Sequence, residues 1–126
     1  MRYVIDASVA TKWLLPETDS SAAPALIGLE FGHVLGKELR RGRCDAATAE
    51  RLWSAFRGLP ITLVSARLLQ DRAFLLSVTR RITMYDALYV AVAEAEGVPL
   101  ISADAGLIAA VNASDNRIIH MDTVSF

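Results

Sequence analysis

Four acids in this sequence could act on a substrate together: Asp6, Glu30, Asp86 and Asp104. Asp6 closes the short apolar run Tyr3-Val-Ile, and Asp104 stands two residues past another, Leu100-Ile-Ser102. Asp86 opens a segment of helical periodicity, and Glu30 falls in the first turn of a second. If the strands ending at Asp6 and Asp104 are neighbours, their carboxylates converge, and the two helix starts can complete a cluster of four. Carboxylates forced together raise one another's pKa, so such a group makes sense chiefly when a cation neutralises it. Oxygen ligands select a hard ion, Mg2+ or Mn2+, over zinc, and no Cys/His set at zinc spacing competes. The plainer use of these side chains stays open: Asp6 or Ser8, and Asp86 likewise, could simply cap a helix by accepting hydrogen bonds from its first N–H groups.

Other reactive side chains carry less. His33 and His120 are single histidines in apolar surroundings and read as packing or surface residues. Cys44 has no visible His partner and reads as a structural thiol. Neither a P-loop nor a GxGxxG is present, which argues against a nucleotide cofactor.

The elements that must position the acids follow from periodicity and punctuation. The stretch Ile82 to Leu107 organises the chain: apolar residues at helical spacing from Tyr85 to Glu96 predict a helix, Gly97 supplies its left-handed end, and Pro99 stops it resuming. Pro99 to Ser102 then reads as a parallel strand buried on both faces. Upstream, Tyr3 to Asp6 reads as a strand feeding a short helix, Thr11 to Leu15, that Pro16 ends, and Pro24 to Ile27 as a second strand or the extended entry to a helix from Gly28 to Arg41. Gly32 and Gly36, four apart on that helix, suggest close helix packing. Gly42 ends it, Asp45 caps a helix running to Arg57, and Gly58 with Pro60 breaks that one. Ile61 to Val64 is a strand, Ala66 to Thr79 a helix with a wide apolar face of Leu68, Leu69, Ala73, Leu75 and Leu76, Ala105 to Asn112 a short helix, and Arg117 to Met121 a last strand. Alternating short strands and helices imply one domain, residues 1–126, of three-layer α/β/α architecture with a mainly parallel sheet and right-handed connections. Ligands of such sheets bind beyond the carboxyl ends of the strands, where Asp6 and Asp104 lie.

Composition narrows the setting. The 126 residues suffice for one cored domain, and 53% of them are hydrophobic, which suits buried parallel strands or an apolar surface kept for a partner. A net charge of -1 leaves no overall basic footprint, so any nucleic-acid contact must come from local clusters. Lys37, Arg40, Arg41 and Arg43 form one such cluster, which either complements a helix dipole or holds phosphates. One cysteine, no visible signal peptide and no long uncharged run together predict a cytoplasmic protein without a membrane span.

In order and spacing the chain resembles the PIN-domain ribonucleases, and most closely the VapC-like toxins of type II (VapBC) toxin–antitoxin pairs. The residues that carry the resemblance are Tyr3-Val-Ile-Asp6-Ala-Ser8 with Lys12-Trp13, Leu29-Glu30-Phe-Gly-His-Val-Leu35 with Arg40-Arg41-Gly42, Thr83-Met-Tyr-Asp86-Ala-Leu-Tyr89-Val-Ala91, and Leu100-Ile-Ser102-Ala-Asp104 with Leu107. The resemblance implies that Asp6, Glu30, Asp86 and Asp104 bind Mg2+ or Mn2+ and are catalytic, with Ser8 and Ser102 as polar supports beside them. It implies a five-stranded parallel sheet, hydrolytic cleavage of RNA, a homodimer and a small VapB-like antitoxin as partner. Arg40, Arg41, Arg43, Arg80 and Arg81 become phosphate anchors, because RNA affinity comes largely from such contacts. One departure stands out: relatives carry more residues between the Pro16-Glu17 position and the strand before Glu30, where this chain has only Thr18 to Ala23.

Two other classes compete. A different acid-cluster phosphohydrolase of the haloacid dehalogenase type would want an Asp two residues after Asp6, where Ser8 stands, and a receiver domain would want an acidic pair near its first strand and a late Lys. A non-catalytic PIN-like module binding RNA or protein has no need of four intact acids.

Overall fold

The structure, a computed structural model, describes residues 3–5, 21–59, 61–112 and 118–120. Among them the strands are β1 (Tyr3–Ile5), β2 (Ser21–Pro24), β3 (Ile61–Val64), β4 (Leu100–Ser102) and β5 (Ile118–His120). The helices are α1 (Ile27–Arg40), α2 (Ala46–Arg57), α3 (Gln70–Arg80), α4 (Met84–Glu96) and α5 (Ala105–Asn112), with a 3-10 turn, Arg67–Leu69, ahead of α3.

The strands pair in the order β3-β2-β1-β4-β5, and every neighbouring pair is parallel. In register, Ile5 lies beside Ile101, and Leu100 and Ile101 lie beside Ile118 and Ile119. The order reverses at β1, so the crevice beyond the carboxyl ends of β1 and β4 is where a sheet of this kind takes a ligand. At the outer edge, the Asn112 side chain donates to Ile118 O at 2.8 Å and accepts from Ile118 N–H at 3.1 Å, clamping β5 to the end of α5.

The core is built on α4. Ala87 to Ala93, seven consecutive residues, are all buried, because α4 packs on β1, β2 and β4 and on α3. Its alanines let the backbone approach the sheet, while Leu88, Tyr89, Val90 and Val92 fill the gaps, each burial contributing about 1.5–3 kcal/mol. Gly97 ends α4 at φ +66°, as its sequence position predicts. The helix then turns into β4, whose three residues are all buried. On α1, Phe31 stacks on Phe56 of α2 with ring centroids 4.4 Å apart, and Trp53 joins at 5.7 Å from Phe56. Gly32 faces that contact, and a Cβ there would touch the Trp53 ring at an ordinary van der Waals distance of 3.4 Å. Gly36 does not take part: its Cβ would meet Arg40 of the same helix.

Two expected elements shift. The second strand is Ser21–Pro24 rather than 24–27, and Ile27 already belongs to α1. Pro24 is tolerated as the last strand residue because the ladder passes to the next N–H, Ala25, which donates to Val64 O at 2.9 Å. The segment Ala66 to Thr79 is not one helix with a wide apolar face. The 3-10 turn comes first, only Ala73 and Leu76 are buried, and Leu68 and Leu75 are 88% and 51% exposed. A bidentate pair, Arg72 Nε and Nη2 to the Glu94 carboxylate at 2.7 and 2.8 Å, ties α3 to α4 outside that narrow stripe and raises the Arg72 pKa. The expected Thr11–Leu15 helix, Trp13 and the short connection through Glu17 lie outside the described residues.

Candidate active site at the carboxyl edge of the sheet

Asp104 is held in place by its own turn. Ser102 is fully buried, and its Oγ accepts from Asp104 N–H at 3.0 Å. Asp104 Oδ1 in turn accepts from Leu107 N–H at 3.1 Å, and its backbone oxygen from Ile108 N–H at 3.1 Å, the geometry of an N-cap on α5. Cap and ligand are compatible roles for a carboxylate, because one hydrogen bond to Oδ1 leaves further lone pairs on both oxygens. Gly106 lies against this carboxylate, and a Cβ on it would stand 3.2 Å from Oδ1.

Asp86 is not the cap of α4. Thr83 is: its Oγ1 accepts from Asp86 N–H at 3.1 Å. Thr83 thus takes the N-cap place, and the half-buried carboxylate of Asp86 sits in the first turn of α4, where the helix dipole favours negative charge. The signal was present in the sequence, since Thr83 precedes Asp86 by three residues, the spacing of a capping box.

Glu30 lies in the first turn of α1, a helix whose N-cap, Leu26, offers no side-chain hydrogen bond. Its Oε1 is shielded from solvent. Leu26, the N-cap of α1, and Leu29, Glu30, His33 and Val34 of that helix line a cleft of about 450 Å³ with Tyr85 of α4. The fold thus sets the start of α1 against the start of α4 and brings Glu30 beside the neighbour of Asp86. His33, expected to pack or to lie on the surface, is exposed and faces this cleft.

Asp6 and Ser8 lie outside the described residues; Asp6 is the next residue in the chain after Ile5, whose partner in β4 is Ile101. Among the described residues no group of three or more His, Cys, Asp or Glu is close enough to hold a metal ion, so Glu30, Asp86 and Asp104 do not form such a group without Asp6. Their donors are carboxylate oxygens, one of them shielded from water, which in kind fits a hard divalent cation.

The arginines divide into two groups. Arg40, Arg41 and Arg43 stand at the far end of α1, about 15 Å along the helix from Glu30. All three are exposed, and Arg43 already pairs with Glu38 at 3.0 Å. Arg80 ends α3 and Arg81 caps it in the turn into α4, at the same end of that helix as Asp86, with a left-handed conformation at φ 57°.

A family profile described as the PIN domain matches residues 3–113. The chain belongs to the PIN-domain family. This PIN domain is similar to Ribonuclease VapC3 of Pyrobaculum aerophilum, at 35% identity over 120 residues covering 82% of this chain and 90% of that protein. It is similar to Exonuclease VapC9 of the same organism, at 33% identity covering 86% and 85%, and to Ribonuclease VapC1 of Mycobacterium tuberculosis, at 33% identity covering 82% and 77%. Among solved structures, the crystal structure of PAE2754 from Pyrobaculum aerophilum superimposes with a TM-score of 0.77 at 30% identity, over 97% of this chain and 85% of that one. This is accordingly a VapC-like PIN domain. The alignment with VapC3 runs over 120 positions while using only 82% of these 126 residues, so it includes positions opposite which this chain has none.

Proposed function

We propose that this PIN domain is a metal-dependent endoribonuclease toxin that cleaves RNA phosphodiester bonds at Asp6, Glu30, Asp86 and Asp104. The observation that carries the reading is the meeting of acid-bearing helix starts at the carboxyl edge: Glu30 lines a cleft with Tyr85, beside Asp86, and Asp104 is fixed on Ser102 next to the strand that precedes Asp6. The four acids would hold Mg2+ or Mn2+, which when bound lowers the pKa of water and offsets charge on the phosphate. Ser102 and the α5 cap fix one carboxylate, the Thr83 cap sets the helix start that carries another, and Ser8 would support Asp6. Arg80 and Arg81, on the same end of α4, would steer the RNA backbone in, with Arg40, Arg41 and Arg43 holding it farther along. Right-handed crossovers between these parallel strands would put α1 and α2 on one face and α4 and α5 on the other, completing three layers about the five strands.

The similarity to VapC proteins supports a small VapB-like antitoxin as partner and an RNA substrate; a homodimer and a cytoplasmic setting are further parts of the proposal. No helix among the described residues is long and apolar enough to cross a membrane. The name of VapC9 favours a second reading, exonucleolytic trimming. Circular and 5′-labelled linear RNAs incubated with Mn2+ separate the two: the proposal expects the circle to be opened, whereas loss of the linear RNA alone assigns an exonuclease. Phosphomonoester hydrolysis without RNA cleavage would move the chain to another class. Light scattering on a sizing column, with the neighbouring reading frame co-expressed, tests dimer and antitoxin together.

A further inference from the structure

We infer that the cleft between the starts of α1 and α4 is a nucleobase subsite, in which Tyr85 and His33 contact a base of the RNA whose phosphodiester lies at the adjoining acids. This rests on the ribonuclease reading and states how that site would grip its substrate. The cleft, about 450 Å³, falls within the size range of small-ligand pockets, roughly 300–1,000 Å³. Its α1 wall is one helical stripe, Leu29, Glu30, His33 and Val34, continued by the N-cap Leu26, and Tyr85 closes it from α4.

The lining decides which part of a nucleotide enters. Among the described lining residues there is no Lys or Arg and Glu30 is acidic, a lining that disfavours an anionic phosphate. Three aliphatic side chains with an aromatic and an imidazole ring suit a flat, neutral, partly polar group, and bases of single-stranded RNA stack on Tyr and His rings. Two of the lining residues are left open to solvent, Leu29 at 81% and Tyr85 at 64% exposure, although both are large and apolar. Their position adds the remaining argument: Glu30 is shared between cleft and acids, and Tyr85 adjoins Asp86 in the chain. A base seated there places its own phosphate at the acids. An apolar side chain of a protein partner is the other possible occupant, and the experiment separates the two.

The probe is a fluorescein-labelled single-stranded oligoribonucleotide, beside versions carrying one abasic nucleotide at each position in turn, titrated by anisotropy with Ca2+ present. Tyr85→Ala should weaken binding of the intact oligonucleotide roughly five- to a hundred-fold, Tyr85→Phe should keep it, and His33→Ala should lower it in the same sense. One abasic position should cost the wild type a similar factor and cost Tyr85→Ala almost nothing. Mn2+ affinity, read by calorimetry, should be the same in all variants. Equal binding by wild type and both alanine variants overturns the subsite, and is the result a protein occupant predicts. A Tyr85→Ala protein that loses Mn2+ affinity as well overturns it too, because the ring would then act through Asp86. A wild type that discriminates abasic RNA in this way but cleaves none in Mn2+ upholds the subsite while the ribonuclease reading fails.

Discussion

Gly106→Ala separates the helix-capping role of Asp104 from its role in the site. The added Cβ would stand 3.2 Å from Asp104 Oδ1, so the carboxylate must retreat by a few tenths of an ångström. Two stability effects then oppose each other. Ala in place of Gly in a helix gains at most about 1 kcal/mol. Disturbing the Oδ1 contact with Leu107 N–H, 3.1 Å in the native turn, forfeits part of a cap worth about 0.5–2 kcal/mol. The balance lies within about 1 kcal/mol of zero, a shift in Tm of roughly 5 °C or less. Activity has no such compensation, because a 1 Å misplacement of a reacting group can cost about a hundred-fold, so a displacement of a few tenths should cost roughly three- to ten-fold. Thermal melts with and without Mn2+, run beside RNA-cleavage rates, read both quantities. A Gly106→Ala protein that melts near the wild type, responds equally to Mn2+ and cleaves at full rate refutes the placement of Asp104 in the site.

Three further outcomes follow from particular contacts. Thr83→Ala removes the acceptor for Asp86 N–H and should cost about 1 kcal/mol in urea unfolding, with a larger fractional loss of cleavage than of stability because the helix start under Asp86 loosens. Side-chain and backbone hydrogen bonds from Thr48 hold Asp45 below the usual carboxylate value, so its stabilisation of α2 is present above the unfolded pKa of about 3.9 and is lost as pH falls through the lower folded value. The stability gap between wild type and Asp45→Ala should therefore hold steady from pH 7 to 5 and close below about pH 4. Arg81→Gly relieves a left-handed residue and should leave stability unchanged or higher by up to about 1 kcal/mol, while RNA affinity falls and its salt slope flattens; an unaltered slope would return Arg81 to a structural role.

What the sequence reveals depends on whether a residue acts locally. Helix α2 begins after Asp45 and ends at Arg57 as read, because an N-cap acid and the C-cap Gly58 both work through neighbouring backbone groups. Helix α5 and strand β3 are likewise legible from their own residues. Strand β2 is harder: Ser21-Ala-Ala-Pro24 has none of the branched or aromatic side chains that mark strands, and is a strand because β1 and β3 flank it. The apolar face of α3 is narrower than its sequence suggests: Leu68 falls in the 3-10 turn ahead of the helix, and within the helix only the stripe through Ala73 and Leu76 is buried, which leaves Leu75 outside it. The acids were legible as candidates by their positions after apolar runs and at helix starts. The cleft was not, since it exists only where α1 meets α4, and nothing near His33 or Tyr85 in the chain announces the other.

The central claim is that Asp86 is a working member of an acid site rather than a helix cap, and Asp86→Asn tests it most directly. The substitution is nearly isosteric, and the cap of α4 on Thr83 uses the backbone N–H of residue 86, so the fold should be kept. Cleavage of a labelled RNA in Mn2+ should fall by at least a hundred-fold, matching the loss on adding EDTA to the wild type, while the variant melts no lower than the wild type in EDTA and gains less from Mn2+. A variant that melts lower in EDTA and cleaves RNA at the wild-type rate would contradict the account.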